Sequence, residues 1–214
     1  MLLAHHRALI DALRQPTERD PWRVLVSGCL AGWLCGVNGT DYGLGEQLGE
    51  LFGLPTIRVL PFCPEQHALG TPRTTPDIHG GDGFDVISGR AKVSDELGED
   101  LTAKMIDGAR AMLAFALDAR VELAILTDMS AACGSQVISD GGRLVERRRY
   151  RKGVGIATAL LIDAGIPVVS QRDFYTLALL RARIEPGYAP PDDARDHHEH
   201  PWTLEHLPDG HPRA

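Results

Sequence analysis

Arg23-Val24-Leu25-Val26-Ser27-Gly28-Cys29 is the stretch that decides the fold of this 214-residue chain. Val24 to Val26 form a short continuous apolar run that ends in a turn signal. That pattern predicts a buried strand over 23–27. A thiol sits just past its end, beside glycine. The same phrase recurs twice: Ile57-Arg58-Val59-Leu60 leads to Cys63, and Leu123-Ala124-Ile125-Leu126 leads to Cys133. In an open α/β sheet the carboxyl ends of the strands gather at one edge, where ligands bind. Three thiols so placed predict a shared soft-metal site. The competing reading is inert packing, because free cysteine behaves as a small buried hydrophobe.

The rest of the chain fits around those strands. Leu2, Leu3, Leu9, Ile10 and Leu13 predict a leading helix over 2–14, stopped by Pro16. A glycine-rich loop follows the first strand, then a short helix over 46–52 and a strand over 56–60. The proline-rich segment 61–83 predicts a long, fixed loop, and 86–93 a small extended segment. Leu101, Met105, Ala109, Met112, Phe115 and Ala116 share one face of a helix expected over 99–119. Strands over 121–127 and 166–170 and helices over 155–164 and 173–183 complete the pattern, with a loop over 128–142. Alternating strands and helices imply a layered α/β fold with a mostly parallel sheet, its cysteines in loops at strand C-terminal ends. Composition divides the chain into an N-terminal helical extension (1–20), an α/β cysteine-cluster domain (21–184) and an extended Pro/Asp/His-rich tail (185–214).

A net charge of −7 argues against wholesale nucleic-acid binding. No stretch reaches the length of a transmembrane helix, and the start, broken by His5, His6, Arg7 and Asp11, lacks the apolar centre of a signal peptide. The expectation is a cytoplasmic protein without membrane contact. Its four cysteines are then metal-binding, catalytic or buried rather than disulfide-bonded.

Several groups are candidates for chemistry. Cys29 and Cys35 do not have the tight C-x-x-C spacing of a zinc ribbon. In Pro61-Phe62-Cys63-Pro64-Glu65, the prolines fix the direction of the thiol and limit helix formation. Glu65 is either a proton-moving carboxylate beside a buried cluster or a solvated loop residue. Ser130 and Ser135 flank Cys133, where hydroxyls hold an anion or polarise a substrate atom, or simply make a turn. Arg147 to Lys152 carries five basic residues in six positions. A solvated surface is the favoured reading there, with an RNA- or phosphate-binding patch as the alternative. His197, His198, His200, His206 and His211 form either a zinc-binding tract or, the favoured reading, part of a flexible tail.

Taken together, Val26-Ser27-Gly28-Cys29-Leu30-Ala31-Gly32, Pro61-Phe62-Cys63-Pro64-Glu65, Thr71-Pro72-Arg73, Ala132-Cys133-Gly134-Ser135 and the run from Ala159 to Ile166 resemble the bacterial thiouracil desulfidase family. The resemblance extends from Arg23 to Phe174. It implies a [4Fe-4S] cluster held by Cys29, Cys63 and Cys133, with one iron open to take sulfur from a thiolated pyrimidine as the small-molecule partner. It also implies that Glu65 and Ser130 act on the substrate rather than on fold stability, and that Cys35 lies outside the ligand set. Ser130-Ala131-Ala132 stands where the family has Ser-Pro-Ser. The alternatives are a non-enzymatic zinc or Fe–S protein and an RNA-associated factor that uses Arg147 to Lys152.

Overall fold

The computed structural model describes residues 2–207, with side chains from Arg7 onward. In chain order the elements are α1 (Leu2–Asp11), β1 (Trp22–Ser27), α2 (Gly49–Phe52), β2 (Ile57–Phe62), α3 (Pro64–Leu69), β3 (Asp77–His79), α4 (Gly83–Ile87) and β4 (Lys92–Ser94). They continue with α5 (Thr102–Asp118), β5 (Leu123–Leu126), β6 (Val137–Ser139), β7 (Tyr150–Lys152), α6 (Ile156–Asp163), β8 (Val168–Ser170), α7 (Phe174–Ile184) and α8 (Pro201–His206). The expected α/β architecture is present. Its central sheet has the order β2-β1-β5-β8, and every neighbouring pair is parallel.

The period-two geometry of a strand sends the run Val24-Leu25-Val26 to both faces of the sheet. Leu25, Ala124 and Leu126 pack with Met105, Ala109 and Met112 of α5 and with Ile156 and Leu161 of α6. Val24, Val26, Leu123 and Ile125 pack on the other side with Leu177 and Leu180 of α7 and Leu51 of α2. The sheet is thus covered on both faces, and the carboxyl ends of β1, β2 and β5 are left as neighbours along one edge.

Several expectations need correction. β2 runs through Pro61 to Phe62, beyond the predicted end at 60. It lies at the edge of the sheet, where a residue without an N–H is tolerated. The segment 61–83 is no continuous loop, because it contains α3 and β3. Pro64, expected to limit helix formation, instead occupies the first position of α3, where its missing N–H is no loss. Cys63 caps this helix, its sulfur accepting from Gln66 N at 3.4 Å. The segment 86–93 begins inside α4, which a reciprocal capping box between Asp82 and Asp85 starts. Only Lys92–Ser94 is extended there, antiparallel to β3. The loop 128–142 contains β6, which pairs antiparallel with β7.

The tail is not extended either. It forms a 3-10 turn over His197–Glu199, then α8, and His197 is buried. His211 lies outside the described residues. Among the described residues, no helix is long and apolar enough to cross a membrane.

A cysteine-lined candidate active site

The site is built where β2, β1 and β5 end side by side. β1 passes into a 3-10 turn over Gly28–Ala31 that carries Cys29. β2 delivers Cys63, and the loop after β5 delivers Cys133. Cys29, Cys63 and Cys133 line one cavity of about 240 Å³, together with Cys35, Glu65 and Ser130. The structure therefore brings Cys29, Cys63, Cys133, Glu65 and Ser130 into one place, whereas Ser135, the basic side chains of 147–152 and the described tail histidines do not line it. Gly28 makes the approach possible: a Cβ there would lie 2.9 Å from the Trp33 ring, 3.2 Å from Cys35 Sγ and 3.2 Å from Cys63 Cβ.

All four cysteines are free. Cys35 has one S–H to share between the Cys29 and Cys63 sulfurs, a hydrogen bond that raises its own pKa. That hydrogen bond, with help from Thr127 Oγ1 and the Leu30 N–H, brings Cys29 down to about 7 against the effect of burial. Cys63 is lowered in the same way by Cys35, opposed by burial and helped by the Gln66 N–H and Arg73. Cys133 is pushed up by burial.

Two kinds of occupant suit thiol donors, a single ion or a cluster. A single tetrahedral zinc holds its thiolates roughly 3.8 Å apart, as follows from a Zn–S bond of about 2.3 Å. Among the described residues, the one trio of ligand-type atoms lying within 4.8 Å of one another is Asp173, Asp196 and His198. At least one separation among Cys29, Cys63 and Cys133 is therefore wider than that. Three soft donors spread around a cavity suit a polynuclear iron–sulfur group better than one ion.

Beside the thiols, Glu65 is buried and ion-paired to Arg73, with Oε2 at 2.6 Å from Nη2. Its other oxygen accepts the Ser130 hydroxyl at 2.9 Å. Ser130 Oγ accepts in turn from Ala132 N at 3.1 Å and Cys133 N at 3.0 Å. Arg73 also donates to Cys35 O at 2.9 Å, and its Nε is buried without a partner. Glu65 is thus no solvated loop residue. Its pairing ties α3 to the loop after it, so it contributes to the fold as well as to the site.

The loop that carries Ser130 and Cys133 is held from both sides. The N-terminal turn of α6 meets its carbonyls: Gly155 N donates to Gly134 O at 2.7 Å, Ile156 N to Ala131 O at 2.9 Å, and Ala157 N to Ala132 O at 2.9 Å. Helix-start N–H groups that lack an intrahelical acceptor are satisfied in this way. Thr158 Oγ1 donates to Cys133 O at 2.9 Å. On the other side, Asp128 Oδ1 accepts from the N–H groups of Met129, Ser135, Gln136 and Val137 at 3.0, 2.9, 3.2 and 3.2 Å. Burial pushes the Asp128 carboxyl up, but the hydrogen bond and charge of His197 and the loop N–H groups outweigh it and hold the pKa below the usual range.

Sequence reasoning gave no role to Arg73 or Asp128, and it placed His197 in a zinc-binding tract or a flexible tail, whereas the structure buries it against Asp128. Arg73 stands inside a quoted motif and Asp128 at the start of the loop over 128–142, yet neither has a sequence neighbour that reveals its partner. Arg147, Arg148 and Arg149 of the basic run are exposed, whereas Tyr150, Arg151 and Lys152 are half-buried in β7, and Arg149 and Arg151 approach Asp140 at 3.8 and 3.9 Å.

Comparison with known proteins agrees with this geometry. The profile of the 2-thiouracil desulfurase family matches residues 24–173. The uncharacterized protein YbbK of Bacillus subtilis (strain 168) is 34% identical over 154 residues, which is 70% of this chain and 96% of YbbK. The solved structure of the [4Fe-4S]-dependent thiouracil desulfidase TudS aligns with a TM-score of 0.58 at 32% identity, covering 74% of this chain and 96% of that one. The family match includes all three strand-end cysteines, Glu65 and Ser130, and it ends before His197. The chain belongs to the 2-thiouracil desulfurase family.

Proposed function

We propose that this protein removes sulfur from a thiolated pyrimidine such as 2- or 4-thiouracil, with a [4Fe-4S] cluster held by Cys29, Cys63 and Cys133. One observation carries the reading: three thiols from three adjacent strand ends line a single cavity with the bonded pair Glu65–Ser130. When bound, such a cluster supplies a Lewis-acidic iron with an affinity for sulfur. A reducing compartment, the cytoplasm, suits four free thiols.

The reaction balances without a redox partner: a thiocarbonyl and water give a carbonyl and hydrogen sulfide. Water must lose a proton as its oxygen joins carbon, and the departing sulfur must gain protons. Glu65 Oε1 is the group placed to hold that proton, because Arg73 engages only Oε2. The Ser130 hydroxyl, fed by two backbone N–H groups, turns its own proton from Glu65 to a heteroatom of the pyrimidine and so orients the ring. Anaerobically reconstituted protein is expected to release sulfide from thiouracil. Glu65→Gln is expected to keep its iron but lose about 10²-fold or more in turnover, the usual scale for removing a general acid–base group. Full turnover in that variant would remove Glu65 from the mechanism.

A further inference from the structure

We propose that the C-terminal segment beyond the family match braces the active site, and that His197 is a positioning residue for the loop bearing Ser130 and Cys133. This rests on the function proposed above for that loop. His197 is 3% exposed, and its Nδ1 lies 2.6 Å from Asp128 Oδ2. The ionised Asp128 carboxylate only accepts, so the His197 ring donates from Nδ1. Asp128 Oδ2 also accepts the Ser170 hydroxyl at 3.2 Å, while Oδ1 gathers the four loop N–H groups.

The loop needs this hold. Met129 has φ 62°, a left-handed conformation that is unfavourable for a side-chain-bearing residue and persists only where its surroundings enforce it. Met129 stands next to Ser130, and the Asp128 carboxylate bonds its N–H. The chain of contact therefore runs from His197 through Asp128 to the backbone that sets Ser130 and Cys133. The His197 N–H is itself fixed by Asp173 Oδ1 at 3.1 Å. A second contact runs parallel: Trp202 of α8 packs edge-on against Tyr150, centroids 5.4 Å apart, and Tyr150 lines the cavity.

The test uses the full chain, reconstituted anaerobically, with His197→Ala, His197→Asn and His197→Gln. An asparagine amide N–H can sit near the Nδ1 position, whereas the glutamine amide reaches one bond further. Two readouts are taken: the rate of iron loss to an Fe(II) chelator, and sulfide release from thiouracil. Substitution of groups that orient a metal site commonly costs about 10–100-fold. His197→Ala is expected to lose iron and turnover on that scale, and His197→Asn to recover most of both. If His197→Ala fails to fold, the order Asn above Gln carries the test. Wild-type behaviour of His197→Ala, or equal impairment of Asn and Gln, overturns the proposal. Iron release is read without substrate, so wild-type protein that binds iron yet never desulfurates thiouracil counts against the proposed function and leaves the positioning role to be judged on iron loss.

Discussion

Cys35 shows how much a single residue's role depends on its partners. It is 1% exposed, and its one S–H is shared between two of the thiols that the proposed function makes ligands. A protonated thiol between two thiolates stabilises their charge without joining the metal. Cys35→Ser keeps a hydroxyl donor in that place and is expected to leave iron per chain unchanged after reconstitution. Loss of iron from a folded Cys35→Ser protein would make Cys35 a ligand. The strand-end thiols were legible in the sequence because a strand followed by a turn is a short-range pattern. Glu65 and Ser130 were legible only through the motifs around Cys63 and Cys133. Arg73 and Asp128 were not, because their meaning lies in partners brought close by folding: Arg73 bonds the Cys35 carbonyl 38 positions away as well as Glu65, and Asp128 and His197 are 69 apart.

The elements were legible in proportion to their length. The 17 residues of α5 repeat an apolar face often enough to stand out. β3, β6 and β7 have three residues each, too few to display a period, whereas the equally short β8 lies in an apolar run that follows the turn at Gly165. α3 was hidden for a different reason, since proline both breaks helices and starts them. This short helix carries Glu65 and is capped by Cys63, so its seat on α5 sets half of the site. Gly108 of α5 is that seat: a Cβ there would meet Pro64 O at 2.3 Å and Ala68 Cβ at 2.9 Å. Gly108→Ala must push α3 away, and overpacking of this kind costs about 1–3 kcal/mol. The variant is expected to melt at lower temperature and to lose iron to a chelator faster than wild type. Wild-type iron retention would show that the two helices do not fix Cys63.

At the scale of the whole molecule, the C-terminal segment docks through buried carboxylates, which makes its attachment depend on pH. Its composition suggested a free tail because Pro, Asp and His are surface residues in most contexts; their burial here follows from partners elsewhere in the chain. Asp196 accepts from Thr176 N at 2.8 Å and Thr176 Oγ1 at 2.6 Å, and Asp173 accepts from Ser170 N and His197 N. Burial, with the nearby charges of Asp196 and Asp128, lifts the Asp173 pKa to about 7. Arg7 at 4.0 Å from Asp196, Glu199 accepting from Asp196 N at 3.1 Å, His197 on Asp128 and the adjacent His198 are the other titratable groups in the cluster. An unfolded aspartate titrates near 3.9. Between that value and about 7 the folded protein holds a proton that the unfolded chain has released, so this group's contribution to stability falls as pH rises through the window and is lowest above 7. Asp128 works in the opposite sense. Its pKa is depressed, and the stability it supplies is lost as pH falls through its folded value. Histidines of the unfolded chain titrate in the same region, so the informative quantity is a difference. The melting temperature of Asp173→Asn minus that of wild type is expected to rise steadily from pH 5 to pH 8, whatever the variant loses in hydrogen bonding at every pH. Protease cleavage within 185–207 of the wild-type chain is expected to quicken over the same range. A difference that stays flat across this range would mean that Asp173 is already ionised in the folded protein, and that the docked segment tolerates the full charge of three neighbouring aspartates.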